Sequence, residues 1–289
     1  MHVVRLQGGL GSQMMGFALF LAMREKGINA YCDVGWYESN LAFNSEELTK
    51  IFQTKLVLVN TLLSRTINSQ SLGYKIVRGI LARIGILKIY TAEVNSYNYD
   101  LDVFNQSGAI VIYDQCWTSW KYFEGIKQLI KETYIFPKLD LRNDNLLNQI
   151  IATESVAIHI RRGDAIAREV LQDVIDRDYY LEAIHYFLSR VHRPTFFIFS
   201  DDIVWAKENL TIENVKYIDW NVGEESYKDM QLMAMCKHHV IANSSFSWWS
   251  AYLNRNPNGC VVTPKRWVNY GYGIELRDMN MPDWHQIDN

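Results

Sequence analysis

The sequence predicts an α/β protein of two Rossmann-like domains, each built on a parallel sheet that helices cover on both faces. Two observations support this fold class. Apolar runs of strand length alternate with segments of helical periodicity, and the alternation occurs twice, on either side of a polar stretch at residues 137–144. We expect an N-terminal domain of residues 1–145 and a C-terminal domain of residues 146–289, facing each other across a cleft.

The first series begins with a strand, a glycine turn, a helix and a second strand. The strand is expected at 3–6, the turn at 8–12, the helix at 14–26 and the next strand at 29–34. Gly27 is the expected stop signal of that helix. The order is typical of a βαβ unit.

The remaining elements follow from apolar runs and from helical spacing. Further strands are predicted at 109–113, 156–160, 195–199, 215–218, 240–242 and 260–262. Further helices are predicted at 45–52, 76–84, 122–134, 180–191, 204–209, 227–237 and 246–253. Asp178 is the expected N-cap of the helix around Tyr180.

Composition narrows the class of protein. Hydrophobic residues make up 48% and charged residues 21% of the chain, which is a globular balance. The net charge of -3 implies no bulk attraction to nucleic acid or to an anionic membrane, so any anion site must be local. No signal peptide is evident, and no apolar run reaches the roughly 20 residues needed to span a bilayer. We expect a cytoplasmic protein, with peripheral contact to the inner membrane left open.

The four cysteines are widely separated and form no Cys-x-x-Cys pair. This pattern favours buried thiols in a reducing compartment over a zinc site. The cysteines are Cys32, Cys116, Cys236 and Cys260.

The segment His-Ile-Arg-Arg-Gly-Asp at 159–164 begins as a strand and ends as a turn. Ligands of open α/β sheets bind at the carboxyl ends of strands, where guanidinium groups can hold a diphosphate by bidentate hydrogen bonds. Since alternate strand residues share a face, His159 and Arg161 should point the same way. Arg161 is the main candidate for phosphate binding, whereas Arg162 either contributes or forms a structural ion pair, for example with Asp164.

Two more segments follow buried strands. In Ser-Asp-Asp at 200–202, Asp202 is placed to cap the next helix, and Asp201 is available to a guanine or a ribose. In Asn-Ser-Ser at 243–245, hydroxyls and backbone N–H groups at a helix start can bind an anion. One of these serines alternatively serves only as the N-cap, and the two roles are compatible.

The segment Gly-Gly-Leu-Gly-Ser-Gln at 8–13 is a weak signal by itself. Its spacing is not Gly-x-Gly-x-x-Gly, and it lacks the Lys-Ser/Thr pair of a P-loop. Alone it predicts only a glycine turn that enters a helix.

Together these segments resemble the bacterial α-1,2-fucosyltransferase family. That family opens with Gly-Gly-Leu-Gly-Asn-Gln-Met-Phe, carries His-x-Arg-Arg-Gly-Asp in mid-chain, and continues with Ser-Asp-Asp and Ala-Asn-Ser-Ser-Phe-Ser-Trp-Trp. All four occur here in order over nearly the whole chain, with Ser12 in place of the family's Asn. The resemblance implies a GT-B-like fold and a metal-independent, inverting enzyme without cofactor. It would transfer L-fucose from GDP-fucose to the 2-hydroxyl of a terminal β-galactoside.

The resemblance also implies residue roles. Arg161 would hold the β-phosphate, His159 would lie near the guanine, Asp229 would lie on the guanine edge, and Ser244 and Ser245 would contact the diphosphate. The full set expected to bind the donor is Gly9, Gly11, Ser12, Gln13, His159, Arg161, Arg162, Asp201, Asp202, Asp229, Asn243, Ser244, Ser245 and Phe246.

The expected mechanism is a single in-line displacement. Arg161 would stabilise the leaving diphosphate, and Asp164 or Glu169 would accept the acceptor's proton, although Glu169 could equally be a solvated loop acid. The pairs Asp-Leu-Asp at 100–102 and Asp-Arg-Asp at 176–178 follow no clear buried strand, so no metal site is expected. Two alternatives stay open: a GT-B enzyme for another nucleotide sugar, and a non-catalytic module that binds a GDP-sugar or a glycan. The acceptor and the oligomeric state are left open.

Overall fold

The computed structural model describes residues 1–41, 45–95, 97–163 and 169–289. The chain divides into two compact units, Met1–Ile135 and Phe136–Asn289. Each unit contains one sheet in which all the described strands are parallel. The expectation of two α/β units with parallel sheets is therefore confirmed.

The first unit contains a four-stranded sheet in the order β2-β1-β4-β3. Its strands are β1 (His2–Arg5), β2 (Ala30–Asp33), β3 (Leu87–Thr91) and β4 (Ile110–Asp114). Its helices are α1 (Leu10–Glu25), α2 (Leu48–Phe52), α3 (Thr61–Asn68), α4 (Leu72–Arg83) and α5 (Lys127–Thr133). Short 3₁₀ helices occupy Gly35–Ser39, Ala92–Asn95, Leu101–Asn105, Trp120–Tyr122 and Glu124–Ile126. The long helix expected at 122–134 is thus broken, and β3 was not expected.

The second unit contains a six-stranded sheet in the order β10-β9-β8-β5-β6-β7. Its strands are β5 (Glu154–Ile160), β6 (Pro194–Ser200), β7 (Val215–Ile218), β8 (His238–Val240), β9 (Val261–Pro264) and β10 (His285–Ile287). Its helices are α6 (Leu141–Ile151), α7 (Arg177–Leu188), α8 (Ile203–Asn209), α9 (Tyr227–Met235) and α10 (Ser245–Leu253). Short 3₁₀ helices occupy Gly223–Glu225, Tyr270–Tyr272 and Arg277–Met279.

The side chains of β5 alternate between the two faces of the sheet, and each face packs against its own hydrophobic core. Ile158 and Ile160 pack with α7 and α8 in one cluster, whereas Ala157 packs with α6 and α9 in another. Because helices cover both faces of the sheet, the sequences of its strands are largely continuous apolar runs. Leu146 and Ile150 of α6 belong to the second cluster, so the helix that begins inside the polar stretch belongs to the second unit. The units divide between residues 135 and 136, whereas the sequence placed the boundary between 145 and 146.

Several element boundaries differ from expectation. Helix α1 begins at Leu10 rather than at 14, because the carbonyl of Gly9 already accepts from the N–H groups of Ser12 and Gln13, at 2.9 and 3.1 Å. The N-cap of α7 is Asp176, whose carboxylate accepts from the N–H of Tyr179, and not Asp178. Strand β8 covers His238–Val240, so it begins and ends two residues earlier than the strand expected at 240–242.

The cysteines only partly match the expectation of buried thiols. Cys32 and Cys236 are buried, Cys116 is half-buried, and Cys260 is exposed just before β9. Across the described ranges, no helix is both long and apolar enough to cross a bilayer.

Candidate functional site

The motifs of the second unit meet at the carboxyl ends of three adjacent strands. In the sheet order, β5 lies between β8 and β6. Arg161 follows β5, Asp201 follows β6, and the segment that leads from β8 into α10 carries Asn243 and Ser244. Parallel pairing therefore brings motifs far apart in sequence to one sheet edge, as the sequence predicts.

Arg161 lies beside the segment that enters α10. Its Nη1 donates to the backbone carbonyl of Asn243 at 3.4 Å. The Asn243 side chain is buried, and its amide donates to the carbonyl of Trp267 at 3.2 Å. Asn243 thus fixes the loop against which the guanidinium packs, and its own side-chain amide faces the protein.

The amino end of α10 is capped from within the motif. Ser244 is the N-cap, and its hydroxyl accepts from the N–H of Phe246 at 3.3 Å. Ser245 is the first helical residue and is half-buried. Trp248 and Trp249 are fully buried and form core. The N–H groups and dipole of α10 give this edge a positive potential.

His159 lies on the same side of β5 as Arg161. Its ring packs against Phe246, with ring centroids 5.7 Å apart, and Arg161 contacts the segment just before that residue. Burial lowers the pKa of His159 to about 3, and the positive charge of Arg161 adds to the shift. The imidazole is therefore neutral at physiological pH. Its buried Nδ1 has no hydrogen-bond partner within the described part of the chain.

Asp229 lies in the first turn of α9 and is held by a polar network. Its Oδ1 accepts from the Asn221 amide at 2.7 Å, and Asn221 and Asn143 exchange hydrogen bonds of 3.0 Å. Burial raises the pKa of Asp229 to about 7, the hydrogen bond from Asn221 opposes this shift, and Asp219 adds to it. This carboxyl therefore titrates near neutrality.

Arg162 faces away from this cluster. Its Nε donates to Asp202 Oδ2 at 3.2 Å, and its guanidinium lies 4.3 Å from the ring centroid of Trp205. Asp202 also caps α8, accepting from the N–H of Trp205 at 3.0 Å. The structure therefore assigns both side chains a structural contact. Asp164, the partner expected for Arg162 and a candidate base, lies outside the described residues.

Asp201 organises the turn that follows β5. Its carboxylate accepts from the N–H groups of Arg162 at 2.8 Å and Gly163 at 3.0 Å. A Cβ on Gly163 would lie 2.9 Å from Asp201 Oδ2, so a side chain at this position would displace the Asp201 carboxylate. The sequence did not predict this contact, because the two segments are 38 residues apart.

Glu169, the other candidate base, is exposed and held by a tyrosine. Its Oε2 accepts from the hydroxyl of Tyr272 at 2.6 Å, and this hydrogen bond raises the pKa of Tyr272. The contact links Glu169 to the 3₁₀ helix at Tyr270–Tyr272.

The glycine segment lies in the first unit, at the carboxyl end of β1. Gly8 has a φ of +75°, and Gly9 has open space where a Cβ would stand. Gly11 and Ser12 lie in the first turn of α1. These residues therefore form a helix amino end whose N-cap position carries no side chain.

Gln13 supports that turn from inside the protein. It is fully buried, its Oε1 accepts from the N–H of Glu47 at 2.9 Å, and its Nε2 donates to the carbonyls of Gly8 and Ser45 at 3.2 and 3.0 Å. The hydroxyl of Tyr37 also donates to the Gly8 carbonyl, at 2.9 Å. The Gln13 amide is thus occupied by the protein itself.

A charged cluster at the same edge of this sheet was not predicted. Arg5 pairs with Asp114 at 2.6 Å and lies 3.9 Å from Asp33. Asp33 is fully buried and accepts from Ser64 at 2.6 Å and Asn68 at 2.7 Å. Each of these charged residues is the last residue of a strand. That position was the only feature of the sequence that could have indicated the cluster.

The cluster borders a cavity of about 390 Å³, lined in part by Asp33, Tyr37 and Thr61. In each Asp-x-Asp pair, the first aspartate caps a helix. Asp100 caps the 3₁₀ helix that begins at Leu101, and Asp176 caps α7. Among the residues that the structure describes, no group of three or more His, Cys, Asp or Glu side chains is arranged to hold a metal ion.

Comparison with known proteins identifies relatives over the whole chain. The model of the family described as Glycosyl transferase family 11 matches residues 1–288. An α-1,2-colitosyltransferase of Escherichia coli is 31% identical over 274 residues, which cover 92% of this chain and 91% of that protein. The O-antigen biosynthesis glycosyltransferase WbnK of Escherichia coli is 35% identical over 166 residues, which cover 56% of this chain and 51% of that protein.

Solved structures share the fold at low sequence identity. The NodZ α-1,6-fucosyltransferase soaked with GDP-fucose matches with a TM-score of 0.54 at 15% identity, covering 87% of this chain and 91% of that one. This likeness confirms the expected fold class.

Proposed function

The chain belongs to glycosyl transferase family 11, and we propose that it transfers L-fucose from GDP-fucose to the 2-hydroxyl of a terminal β-galactoside. One observation carries the proposal. A guanidinium, a helix amino end, a neutral histidine and a carboxyl with a raised pKa occur at the carboxyl edge of the second unit's sheet.

The two ionisable groups suit a guanine base. The base edge of guanine offers two N–H donors to a carboxylate, and Asp229 presents such an acceptor once it is ionised. His159 is neutral, so its ring can donate one hydrogen bond and accept another. A protonated histidine would instead place a second cation beside Arg161. The low pKa of His159 therefore favours binding of an uncharged base at this position.

Arg161, Ser244 and Ser245 suit a diphosphate. The guanidinium offers a fork of donors, and the amino end of α10 adds backbone N–H groups and a hydroxyl. In an in-line displacement, negative charge accumulates on the β-phosphate as the acceptor hydroxyl attacks the anomeric carbon. Donors fixed before the reaction stabilise that charge. The displacement would invert a β-linked donor sugar to an α-linked product.

The acceptor hydroxyl must lose a proton, and Glu169 is the candidate that the described residues offer. Its hydrogen bond to Tyr272 engages one carboxylate oxygen, and the second oxygen would accept the proton. Asp164 stays a second candidate.

The remaining predicted donor contacts divide into two groups. We propose that Gly9, Gly11 and Ser12 contact the substrates through the amino end of α1, whereas Gln13 holds the turn in shape. In the second unit, we propose that Arg162, Asp201 and Asp202 shape the loops around Arg161. Asn243 supports the guanidinium through its carbonyl.

The relative named as a colitosyltransferase favours a second candidate, transfer of colitose. Colitose is L-fucose without the 3-hydroxyl group, so the two donors differ by one polar contact. Nucleotide release should be measured with GDP-fucose, GDP-colitose, GDP-mannose and UDP-galactose, each with a β-galactoside. The highest kcat/KM with GDP-fucose is expected. Preference for another donor would overturn the fucose assignment, and GDP binding without turnover on any donor would indicate a non-catalytic module.

A further inference from the structure

One stretch of the first unit carries an unbalanced charge. Residues 48–92 contain seven Lys and Arg and no Asp or Glu, in a chain whose net charge is -3. The cations are Lys50, Lys55, Arg65, Lys75, Arg78, Arg83 and Lys88. The overall charge therefore hides a local basic segment, which the bulk argument from composition did not detect.

The same segment contains a helix whose aliphatic face points outward. Leu72, Ile76, Ile80 and Ile84 recur every four residues along α4 and its C-cap, with exposed fractions of 75%, 53%, 54% and 61%. No residue of α4 is buried. A surface helix of a globular domain normally turns such a stripe toward its core, so this stripe, which we call the α4 stripe, is unusual.

Contacts on the opposite side hold α4 in this orientation. Leu81 packs against the cluster formed by β1, β3, β4 and α3. Arg78 donates from Nη1 to the carbonyls of Thr66 and Ile67 at the end of α3, each at 3.0 Å. Helix α4 thus uses a basic residue and one leucine to attach to the unit, and its aliphatic side chains stay in solvent.

We propose that the α4 stripe and its flanking cations dock this unit on a membrane leaflet rich in anionic lipids. Aliphatic side chains can enter the acyl boundary while Lys75 and Arg83 reach headgroup phosphates, as interfacial amphipathic helices do. Anionic lipid supplies both the apolar and the negative partner that this face requires. A second copy of the chain would instead bring a basic segment against another, so charge complementarity favours the lipid surface over self-association.

The inference is independent of the donor specificity proposed above. It concerns where the enzyme would meet an acceptor, and none of the residues that carry it belongs to the donor site. Turnover of a soluble acceptor should therefore stay unchanged when the α4 stripe is altered.

Flotation with lipid vesicles tests the proposal on the full chain. Binding is expected to vesicles with about a third phosphatidylglycerol and to fall at least about tenfold on pure phosphatidylcholine. Ile76→Gln/Ile80→Gln and, separately, Lys75→Gln/Arg83→Gln should each reduce binding about tenfold or more. The matched control is Ile151→Gln/Leu188→Gln, which removes exposed aliphatic side chains from the second unit and should bind as the wild type does.

The contrary outcomes are equally specific. Equal binding to both vesicle types, or wild-type binding by the stripe variant, would overturn the proposal. If the protein ignores vesicles but sediments as a dimer that Ile76→Gln/Ile80→Gln dissociates, the face belongs to a second copy. Circular dichroism of each variant shows whether it is folded, and since the altered side chains are exposed, folding should be retained.

Discussion

Replacement of Arg161 by alanine separates catalysis from stability most sharply. The side chain is half-buried, and its hydrogen bond to the Asn243 carbonyl is long, at 3.4 Å. Loss of that hydrogen bond alone should lower the free energy of unfolding by about 1 kcal/mol or less. If the guanidinium stabilises the leaving diphosphate, kcat should fall about 10²- to 10³-fold, equivalent to roughly 3–4 kcal/mol in the transition state.

The adjacent arginine provides the control. Arg162 pairs with Asp202 and stacks on Trp205, so Arg162→Ala should cost about 1–2 kcal/mol of unfolding free energy. Its kcat should stay within about threefold of the wild type, because none of its side-chain contacts within the described part of the chain involves the α10 amino end.

The assay is GDP release under saturating GDP-fucose, with urea denaturation of the same samples. NMR titration checks the electrostatic contact between Arg161 and His159 independently of turnover. Loss of the Arg161 charge should raise the pKa of His159 toward its ordinary value, since that charge helps to lower it. A kcat for Arg161→Ala within about threefold of the wild type would refute the leaving-group role.

Three further predictions concern pH and support of the site. Burial raises the pKa of Asp229 to about 7, so GDP affinity, measured by calorimetry, should fall as pH drops below 7. Asp229→Asn should bind GDP about tenfold more weakly at pH 8, and its affinity for GDP should depend little on pH. An affinity that still falls with pH as in the wild type would contradict the guanine assignment. The pKa of His159 is lowered from 6.5 to about 3, so the unfolded state takes up a proton first on acidification. As pH falls from 6.5 to about 3, this histidine should lower the free energy of unfolding by about 1.4 kcal/mol per pH unit. The variant His159→Gln should therefore show a smaller dependence of the free energy of unfolding on pH. Equal slopes would show that burial does not suppress its protonation. Gln13→Leu removes the side-chain donor to the carbonyls of Gly8 and Ser45. The free energy of unfolding, measured by urea denaturation, should fall by about 2–4 kcal/mol. A decrease below about 1 kcal/mol would argue against the supporting role of Gln13.

The sequence predicted the carboxyl ends of the strands well where apolar runs are followed by candidate site residues. The strand through Ile158 buries apolar residues on both faces, so its end, and hence the position of Arg161, could be predicted from the sequence. The same alternation placed His159 and Arg161 on one side, and Asp202 was recognised as a cap because the next helix begins at Ile203.

The sequence could not predict contacts between distant segments. The pairing of Asp201 with the turn after β5 depends on β5 and β6 being neighbours. The role of Gln13 depends on a loop 34 residues away. Helix α6 was missed because its cap, Asp140, lies in a stretch polar enough to resemble a linker.

The periodicity of a helix also does not determine whether its aliphatic side faces the protein or the solvent. The spacing around Ile76 predicts an amphipathic helix, and the natural expectation is that its aliphatic side packs inward. The structure shows the opposite, since Leu81 and Arg78 make the inward contacts. Which side of a helix faces the protein depends on what it packs against, and that information is not local.

The linkage of the product distinguishes the proposed reaction from other sugar transfers. The enzyme should be incubated with GDP-fucose and a β-galactoside, and the linkage of the product determined by NMR. We expect an α-linked fucose on the 2-hydroxyl of galactose, formed from a β-linked donor. A β-linked product, or fucose on another hydroxyl, would contradict the proposed reaction.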